Sequence, residues 1–187
     1  MARPPSINEA DLLDLLVRAF REKGFDGTAI GDLSAVSGLQ RASLYHRFPD
    51  GKEGMAGAVL AEVGARFLWI LAPMREDQDV ARGVDETARR LGDFYGAGAL
   101  SCVLDTMTLA GAPDRVREQA RSLAKTWIEA MAEASRRAGR RPDEAMRAAR
   151  DAFLRVEGSL VLARVLGDTD AFAEAVALLP NLLVPGE

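Results

Sequence analysis

The sequence is organised around one short stretch, residues 38–49, which reads Gly38-Leu39-Gln40-Arg41-Ala42-Ser43-Leu44-Tyr45-His46-Arg47-Phe48-Pro49. Between a glycine and a proline it gathers polar, basic and aromatic side chains within a single helical length. Leu44 and Phe48 are four residues apart, so both are predicted to face a core while most of the polar side chains turn outward. No other segment of the chain gathers such a set, and we interpret the rest as the framework that positions it.

Two short helices are predicted around Gly38. Ile30, Leu33 and Val36 recur at helical spacing, and Thr28 is a plausible N-cap for this helix. Gly38 ends it after about two turns, and a third helix runs from Arg41 to Phe48. Two short helices joined by a tight turn that contains glycine make a helix-turn-helix.

A longer helix is predicted before this unit. Ser6 and Glu9 have the spacing of a capping box at its start. An apolar stripe follows at helical intervals, formed by Leu13, Leu16, Val17 and Phe20. Gly24 is expected to end the helix, and Phe25 just beyond it to join the same apolar cluster.

The remainder of the chain also has helical periodicity. A turn at residues 49–51 leads into a helix that begins at Lys52 and is predicted to break at Pro73. Further helices are predicted over residues 80–95 and 101–109, from the break at Pro113-Asp114 to the basic stretch 136–141, and over residues 142–166 and 170–179. Pro180 to Glu187 is expected to form a loose tail. The expected fold is all-α, with about nine helices. Residues 1–52 form the helix-turn-helix domain, residues 52–73 a linking helix, and residues 77–187 a second helical domain.

Composition supports this interpretation. Hydrophobic residues make up 48% of the 187 residues, and aromatic residues only 6%, which argues against a large sheet. The single cysteine, Cys102, excludes an intrachain disulfide and suits a reducing compartment. Residues 1–8 do not resemble a signal peptide, and the most apolar window, Phe67 to Met74, is too short to span a bilayer. We therefore expect a cytoplasmic protein with no membrane partner.

The charge of the chain restricts how it could bind nucleic acid. The formal net charge is −4, and residues 1–53 contain seven basic against eight acidic residues. Neither the chain nor its first domain therefore attracts DNA as a whole, and binding would depend on where individual charges lie.

The side chains of residues 38–52 nevertheless suit DNA. Gln40 can bond bidentately to adenine and Arg41 to guanine, while the hydroxyls of Ser43 and Tyr45 can reach phosphate oxygens. Lys52 and the backbone N–H groups at the start of its helix are suited to phosphate as well. The alternative is that this is an ordinary exposed helix of a small bundle, since polar residues face solvent in every protein.

Residues 12–60 are similar to the N-terminal domain of TetR-family transcriptional regulators. The similarity rests on the end of the first helix, Phe20-Arg21-Glu22-Lys23-Gly24-Phe25, on Thr28, Ile30, Leu33 and Gly38, and on Ser43-Leu44-Tyr45-His46-Arg47-Phe48 followed by Lys52-Glu53. By this resemblance the DNA-contacting positions are Thr28, Gln40, Arg41, Ala42, Ser43, Tyr45, His46 and Lys52. The resemblance also implies a homodimeric repressor that binds a palindromic operator and is released by a small, mainly apolar effector.

Two positions depart from the common pattern of that family. Gly31 lies where the second helix often carries a polar or charged contact residue. Asp50-Gly51 lengthens the turn before Lys52 by one residue, a variant that occurs in the LmrA/YxaF-like branch. Residues 157–164, Glu157-Gly158-Ser159-Leu160-Val161-Leu162-Ala163-Arg164, resemble that branch too.

The second half would then carry the effector site and the dimer interface. Aromatic, methionine and polar residues suited to a ligand pocket are Phe94, Tyr95, Cys102, Asp105, Met107, Trp127, Met131 and Phe153, although each of them could instead pack in the core. The last two long helices are apolar over broad faces, from which we predict an interface of Ala149, Ala152, Phe153, Val156, Leu160, Phe172, Val176 and Leu179. The alternative is that these faces serve only the core of the monomer.

Enzymatic and metal-dependent functions find little support. Ser43 and His46 are one helical turn apart, but nothing in the sequence indicates a carboxylate that would orient the histidine. One histidine and one cysteine do not make a nitrogen- or sulfur-rich metal site, and no cofactor motif is present. The rival class is a helical ligand-binding or adaptor protein without a DNA role.

Overall fold

The computed structural model describes residues 7–186, and within them the chain forms ten α-helices and no strand. The helices are α1 Glu9–Gly27, α2 Ile30–Ser37, α3 Arg41–Arg47, α4 Gly51–Glu76, α5 Val80–Phe94, α6 Val103–Thr106, α7 Asp114–Arg137, α8 Pro142–Leu166, α9 Asp170–Ala177 and α10 Leu179–Leu183. The all-α prediction is confirmed, with one helix more than the sequence indicated.

The additional helix is α10, in the segment predicted to be a loose tail. Pro180 lies in its first turn, where the N–H that proline lacks would have no helical partner in any case. Leu179 and Leu183 are both fully buried, so burial of apolar surface holds the segment. The helix predicted over residues 101–109 is reduced to α6, and Leu109 beyond it is 56% exposed.

The first helix begins at Asn8, whose side-chain Oδ1 accepts a hydrogen bond of 2.8 Å from the backbone N–H of Asp11. Ser6, the predicted capping residue, lies outside the described residues. Gly24, which was expected to end the helix, interrupts it with φ 69° and ψ −177°, and α1 continues beyond it to Gly27. Phe25 stacks on Phe20 with ring centroids 6.3 Å apart, which confirms that it joins the apolar cluster.

The fourth helix does not break at Pro73 but continues to Glu76. A proline inside a helix leaves the carbonyl four residues earlier without its N–H partner, here the carbonyl of Trp69. Arg90 of α5 supplies that bond, since its Nη1 donates to the Trp69 oxygen at 2.6 Å and its guanidinium lies 4.1 Å from the centre of the Trp69 ring. At the end of the helix, Arg137 donates to the carbonyls of Met74 and Arg75, both at 2.9 Å.

The apolar run of α4 is also longer than the window chosen from the sequence. Over residues 51–76 the helix is long and apolar enough in composition to cross a membrane. Half of its 18-residue apolar window, 50%, is buried within the fold. Its buried residues recur along the whole helix, from Met55 through Val63 to Met74. This is the pattern of a core helix.

The described chain forms two compact units. Unit 1 comprises residues up to Gly64 together with Val103–Arg121, and unit 2 comprises Ala65–Cys102 together with Ser122 onward. Helices α4 and α7 each contribute residues to both units. The units are therefore not contiguous segments, whereas the functional division into domains 1–52 and 77–187 follows the sequence and stays a prediction.

Candidate nucleic-acid interface

The start of α2 differs from the prediction at Thr28. The N-cap is Ala29, and Thr28 is fully buried with its hydroxyl donating to the carbonyl of Gly24 at 2.6 Å. Its side chain is therefore not available to DNA, because the hydroxyl is used to close the end of α1. A threonine before an apolar repeat resembles a cap in sequence, but burial decides its role here.

Asp32 fixes the orientation of α2. Its carboxylate accepts from Lys23 Nζ of α1 at 2.8 Å and from the backbone N–H of Ala29 at 2.8 Å. The hydrogen bond from Lys23, followed by the bond from Ala29, lowers the pKa of Asp32 below its usual value. The ion pair lies at the surface, so its main effect is geometric.

Serine hydroxyls and one glycine shape the turn between α2 and α3. Gly38 ends α2 with φ 67°, a conformation that residues with a Cβ seldom adopt. The Ser34 hydroxyl donates to the carbonyl of Leu39 at 2.6 Å, and the Ser37 hydroxyl donates to the carbonyl of Leu33 at 2.6 Å. The turn is thus held by hydrogen bonds to its own backbone, which sets the direction in which α3 begins.

One apolar side chain anchors α3 in unit 1. Leu44 is fully buried, as predicted, and Phe48 is half-buried. Val36, expected in the apolar row of α2, is instead 43% exposed. At the far end of α3, Arg47 Nη2 donates to the carbonyl of Ile7 at 3.2 Å. The helix is therefore fixed at both its buried face and its C-terminal end.

The remaining side chains of this segment face solvent together. Six of the eight residues predicted to contact DNA are exposed and adjacent on or beside α3, namely Gln40, Arg41, Ala42, Ser43, Tyr45 and His46. Gln40 is the N-cap residue and its side chain makes no capping hydrogen bond, so its amide remains available to a partner. The face combines an amide, a guanidinium, two hydroxyls and an imidazole.

Tyr45 and Lys52 lie where α3 meets the start of α4. The Tyr45 ring packs against Gly51, where a Cβ would lie 3.1 Å from ring carbon Cε1. Lys52 Nζ donates to the carbonyl of Phe25 at 2.9 Å and lies 4.3 Å from the centre of the Phe25 ring. An ammonium has three N–H donors, so this contact positions Lys52 without using all of them.

Four of the candidate effector residues, Phe94, Tyr95, Trp127 and Phe153, lie in a chain of ring contacts within unit 2. Neighbouring centroids are 4.9 to 5.7 Å apart in the order Phe153, Trp127, Phe67, Phe94, Tyr95 and Phe172. We call this set the aromatic cluster. Trp127 is fully buried, and its Nε1 finds no hydrogen-bond acceptor among residues 7–186. Phe67 was not among the predicted residues, although its position in the apolar repeat of α4 marks it as buried.

The predicted effector residues are divided between the two units. Asp105 and Met107 belong to unit 1, whereas the aromatic cluster belongs to unit 2. Cys102 and Met131 are buried in unit 2, and the Cys102 sulfur accepts from the Tyr95 hydroxyl at 3.5 Å. Sequence distance could not separate the two groups, because the boundary between the units falls between Cys102 and Val103.

The residues predicted for the dimer interface lie in the core of the single chain. Seven of the eight are buried, namely Ala149, Ala152, Val156, Leu160, Phe172, Val176 and Leu179. The eighth, Phe153, packs edge-on against Trp127 with centroids 5.1 Å apart. The apolar side chains from which the sequence predicts an interface on α8 and α9 instead pack these helices within unit 2.

A second apolar stripe on α8 remains uncovered. Leu154 is 67% exposed, Leu162 49% and Val165 70%, and they lie at helical spacing with Gly158 and Val161. An open groove, which we call the α8–α9 groove, is lined by Leu154, Gly158, Val161 and Leu162 of α8, by Ala171 of α9 and by Leu178 just after α9. The signal in the sequence was that α8 carries two apolar stripes and can bury only one within its own chain.

Metal-ligating groups do not converge in the described part of the chain. Across residues 7–186, no three side chains among histidine, cysteine, aspartate and glutamate lie close enough together to hold a metal ion. The exposed face of α3 contains donors and acceptors of hydrogen bonds, and the chemistry that it offers is recognition of a polar surface.

Comparison with known proteins supports this view of the site. Residues 12–59 match the family model described as bacterial regulatory proteins, tetR family. The chain is 24% identical over 180 residues to the HTH-type transcriptional regulator LmrA of Bacillus subtilis (strain 168), an alignment that spans 92% of this chain and 94% of LmrA.

Solved structures share the fold. A TetR transcriptional regulator from Legionella pneumophila superposes with a TM-score of 0.85 at 17% identity, over 97% of this chain and 100% of that one. A cysteine mutant of the TetR family regulator CifR, complexed with 26 bp double-strand operator DNA, superposes with a TM-score of 0.75 at 20% identity, over 97% and 98%. At these identities the likeness concerns the fold alone.

Proposed function

We propose that this chain, a TetR-family transcription regulator by its DNA-binding domain and its fold, binds a palindromic operator as a homodimer and represses transcription until a small effector releases it. Its relatives are DNA-binding regulators and not enzymes, and the family resemblance, with its LmrA-like relative, is confirmed. Family members are soluble, and we place this chain in the cytoplasm. Repression follows the usual mode of the family.

The observation that carries the proposal is the exposed face of α3. Its polar side chains are exposed on a helix whose buried face and last residue are both fixed to unit 1, by Leu44 and by the hydrogen bond from Arg47 to the Ile7 carbonyl. An α-helix fits the major groove of B-DNA, and glutamine and arginine are the side chains that read adenine and guanine there. A rigid helix limits the entropy lost on binding.

The charge balance explains why a dimer is needed. With seven basic residues against eight acidic ones up to residue 53, one copy of α3 would bind DNA weakly. Two copies about one helical turn of DNA apart, roughly 34 Å, would enter successive major grooves. The α8–α9 groove is the surface that we assign to the pairing, since exposed apolar patches of this kind mark protein interfaces.

The aromatic cluster supports a mainly apolar effector. Rings and a buried indole N–H with no acceptor would suit a flat molecule that carries one hydrogen-bond acceptor. Such a molecule releases the operator if it binds better to a form of the dimer whose recognition helices no longer match two major grooves. In a Trp69→Phe variant, Trp127 is the only tryptophan, so its emission reports ligand binding.

The direct test is a gel shift with DNA from upstream of the protein's own gene. We expect sequence-specific binding that weakens with salt, and Arg41→Ala and Tyr45→Ala should abolish or weaken it while leaving the dimer intact. Binding that ignores sequence would contradict the proposal. A monomer in light scattering with no DNA binding would favour the rival, a helical ligand-binding or adaptor protein.

A further inference from the structure

Gly31, the second residue of α2, lies directly beneath the side chain of Arg41. A Cβ built on Gly31 would be 3.2 Å from Arg41 Nη2, closer than an ordinary van der Waals contact. One nitrogen of the guanidinium at the start of α3 therefore lies close to the space that a side chain at position 31 would occupy. Any side chain at position 31 would compete with it for that space.

The backbone does not require a glycine at this position. Gly31 is absent from the glycines with positive φ, and it lies within a helix where alanine would be the more favourable residue. Glycine at position 31 weakens α2 slightly, and the backbone conformation does not explain why this residue is a glycine. The short distance to Arg41 offers an explanation.

Arg41 also places a positive charge beside α2, which has no basic residue of its own. The helix contains no basic residue, and its only charged side chain, Asp32, is engaged by Lys23 and by the N–H of Ala29. The guanidinium of Arg41 lies beside the start of this helix, at Gly31. One side chain from α3 thus supplies positive charge to the surface of both helices.

We propose that Gly31 is a specificity-determining position, because its missing side chain sets the direction of the Arg41 guanidinium and thereby the base pair that Arg41 reads. This inference rests on the proposed function. Bidentate pairing with guanine needs the plane of the guanidinium in one orientation, and an arginine side chain is otherwise free about several bonds. A surface that fixes the plane strengthens the matched contact and leaves contacts with phosphate unchanged.

The experiment uses a randomised duplex library to obtain the consensus of the wild-type protein. Dissociation constants are then measured by fluorescence anisotropy, with the consensus duplex and with a shuffled duplex of the same composition. The variants are Gly31→Ala, Arg41→Ala and the double variant. Gly92→Ala is the matched control, because a Cβ at this helical glycine meets no atom within 4 Å.

We expect Gly31→Ala to lose about tenfold in affinity for the consensus duplex, within the range of one arginine–base contact, and to keep its affinity for the shuffled duplex. In the Arg41→Ala background the same substitution should have no further effect. The melting temperature should stay equal or rise, since alanine favours the helix. Gly92→Ala should leave both dissociation constants unchanged.

Two results would overturn the inference alone. One is a Gly31→Ala variant with the wild-type consensus and affinity, and the other is an equal loss whether or not Arg41 is present. A wild-type protein that enriches no sequence at all would overturn the proposed function and this inference with it.

Discussion

At the scale of single residues, Gly24 shows how one position without a side chain is required by its surroundings. Its backbone, at φ 69° and ψ −177°, lies in a region that is almost restricted to glycine, and an added Cβ would be 2.5 Å from the carbonyl oxygen of Thr106. We expect Gly24→Ala to lower the free energy of unfolding by about 2 kcal/mol or more, measured by urea denaturation. Gly92→Ala is the control and should change stability by less than about 1 kcal/mol. Equal stability of both variants would contradict this account.

Because of Glu86, the stability of unit 2 is expected to depend on pH in the acid range. Hydrogen bonds from Arg89 and then from Arg90 lower its pKa from 4.5 to about 2. Because the folded state releases this proton more readily than the unfolded state, the contribution of Glu86 is present above pH 4.5 and is lost as the pH falls towards about 2. Melting temperatures of wild type and Glu86→Gln should differ at neutral pH and converge at acid pH. A constant difference across that window would contradict the assignment.

At the scale of helices, the continuation of α4 past Pro73 depends on Arg90. This side chain donates to the Trp69 carbonyl at 2.6 Å, stacks on the Trp69 ring and pairs with Glu86 at 2.8 Å. Arg90→Ala should destabilise the fold by about 1 kcal/mol, because it leaves that carbonyl without a protein donor. Thermal unfolding measures the effect.

The neighbouring Arg89 provides the matched comparison for this prediction. Its guanidinium bonds to the carboxylates of Glu86 and Asp93 at the surface of α5. Surface ion pairs contribute little, so Arg89→Ala should lower the melting temperature less than Arg90→Ala does. If both variants lost the same amount, the ion pairs and not the Trp69 carbonyl would explain the role of Arg90.

These helices also show what the sequence can predict. The spacing of apolar residues was enough for α1, α2 and α3, because local periodicity and a glycine at Gly38 decide those elements. In the sequence, Pro73 and Pro180 both predict the end of a helix. At Pro73 the compensating donor is distant in sequence, and at Pro180 none is needed, because an N–H in the first turn has no helical partner. Arg90, seventeen residues from Pro73, could not be recognised as such a group without the fold.

At the scale of the whole molecule, the sequence again predicts features that depend on local residues and fails for those that depend on distant contacts. The exposed face of α3 was found because its polar side chains are contiguous and only Leu44 needs to be buried. Thr28 was misplaced because the sequence does not show that its hydroxyl bonds to the Gly24 carbonyl. The dimer residues were misplaced for a related reason, since α8 carries two apolar stripes and only the folded chain shows which one its own core covers.

The uncovered stripe of α8 leads to the last prediction. Leu162 in the α8–α9 groove is 49% exposed, and Leu68 on α4, which is not among the groove residues, is 52% exposed, so the two leucines are matched in accessibility. Leu162→Glu places a charge in the proposed interface, where its desolvation would oppose pairing. In light scattering we expect wild type and Leu68→Glu to have the mass of two chains and Leu162→Glu that of one. Leu162→Glu should also bind operator DNA weakly, because a monomer reaches a single half-site. A dimeric Leu162→Glu variant would show that the groove serves another partner, whereas two monomeric variants would point to a general loss of folding.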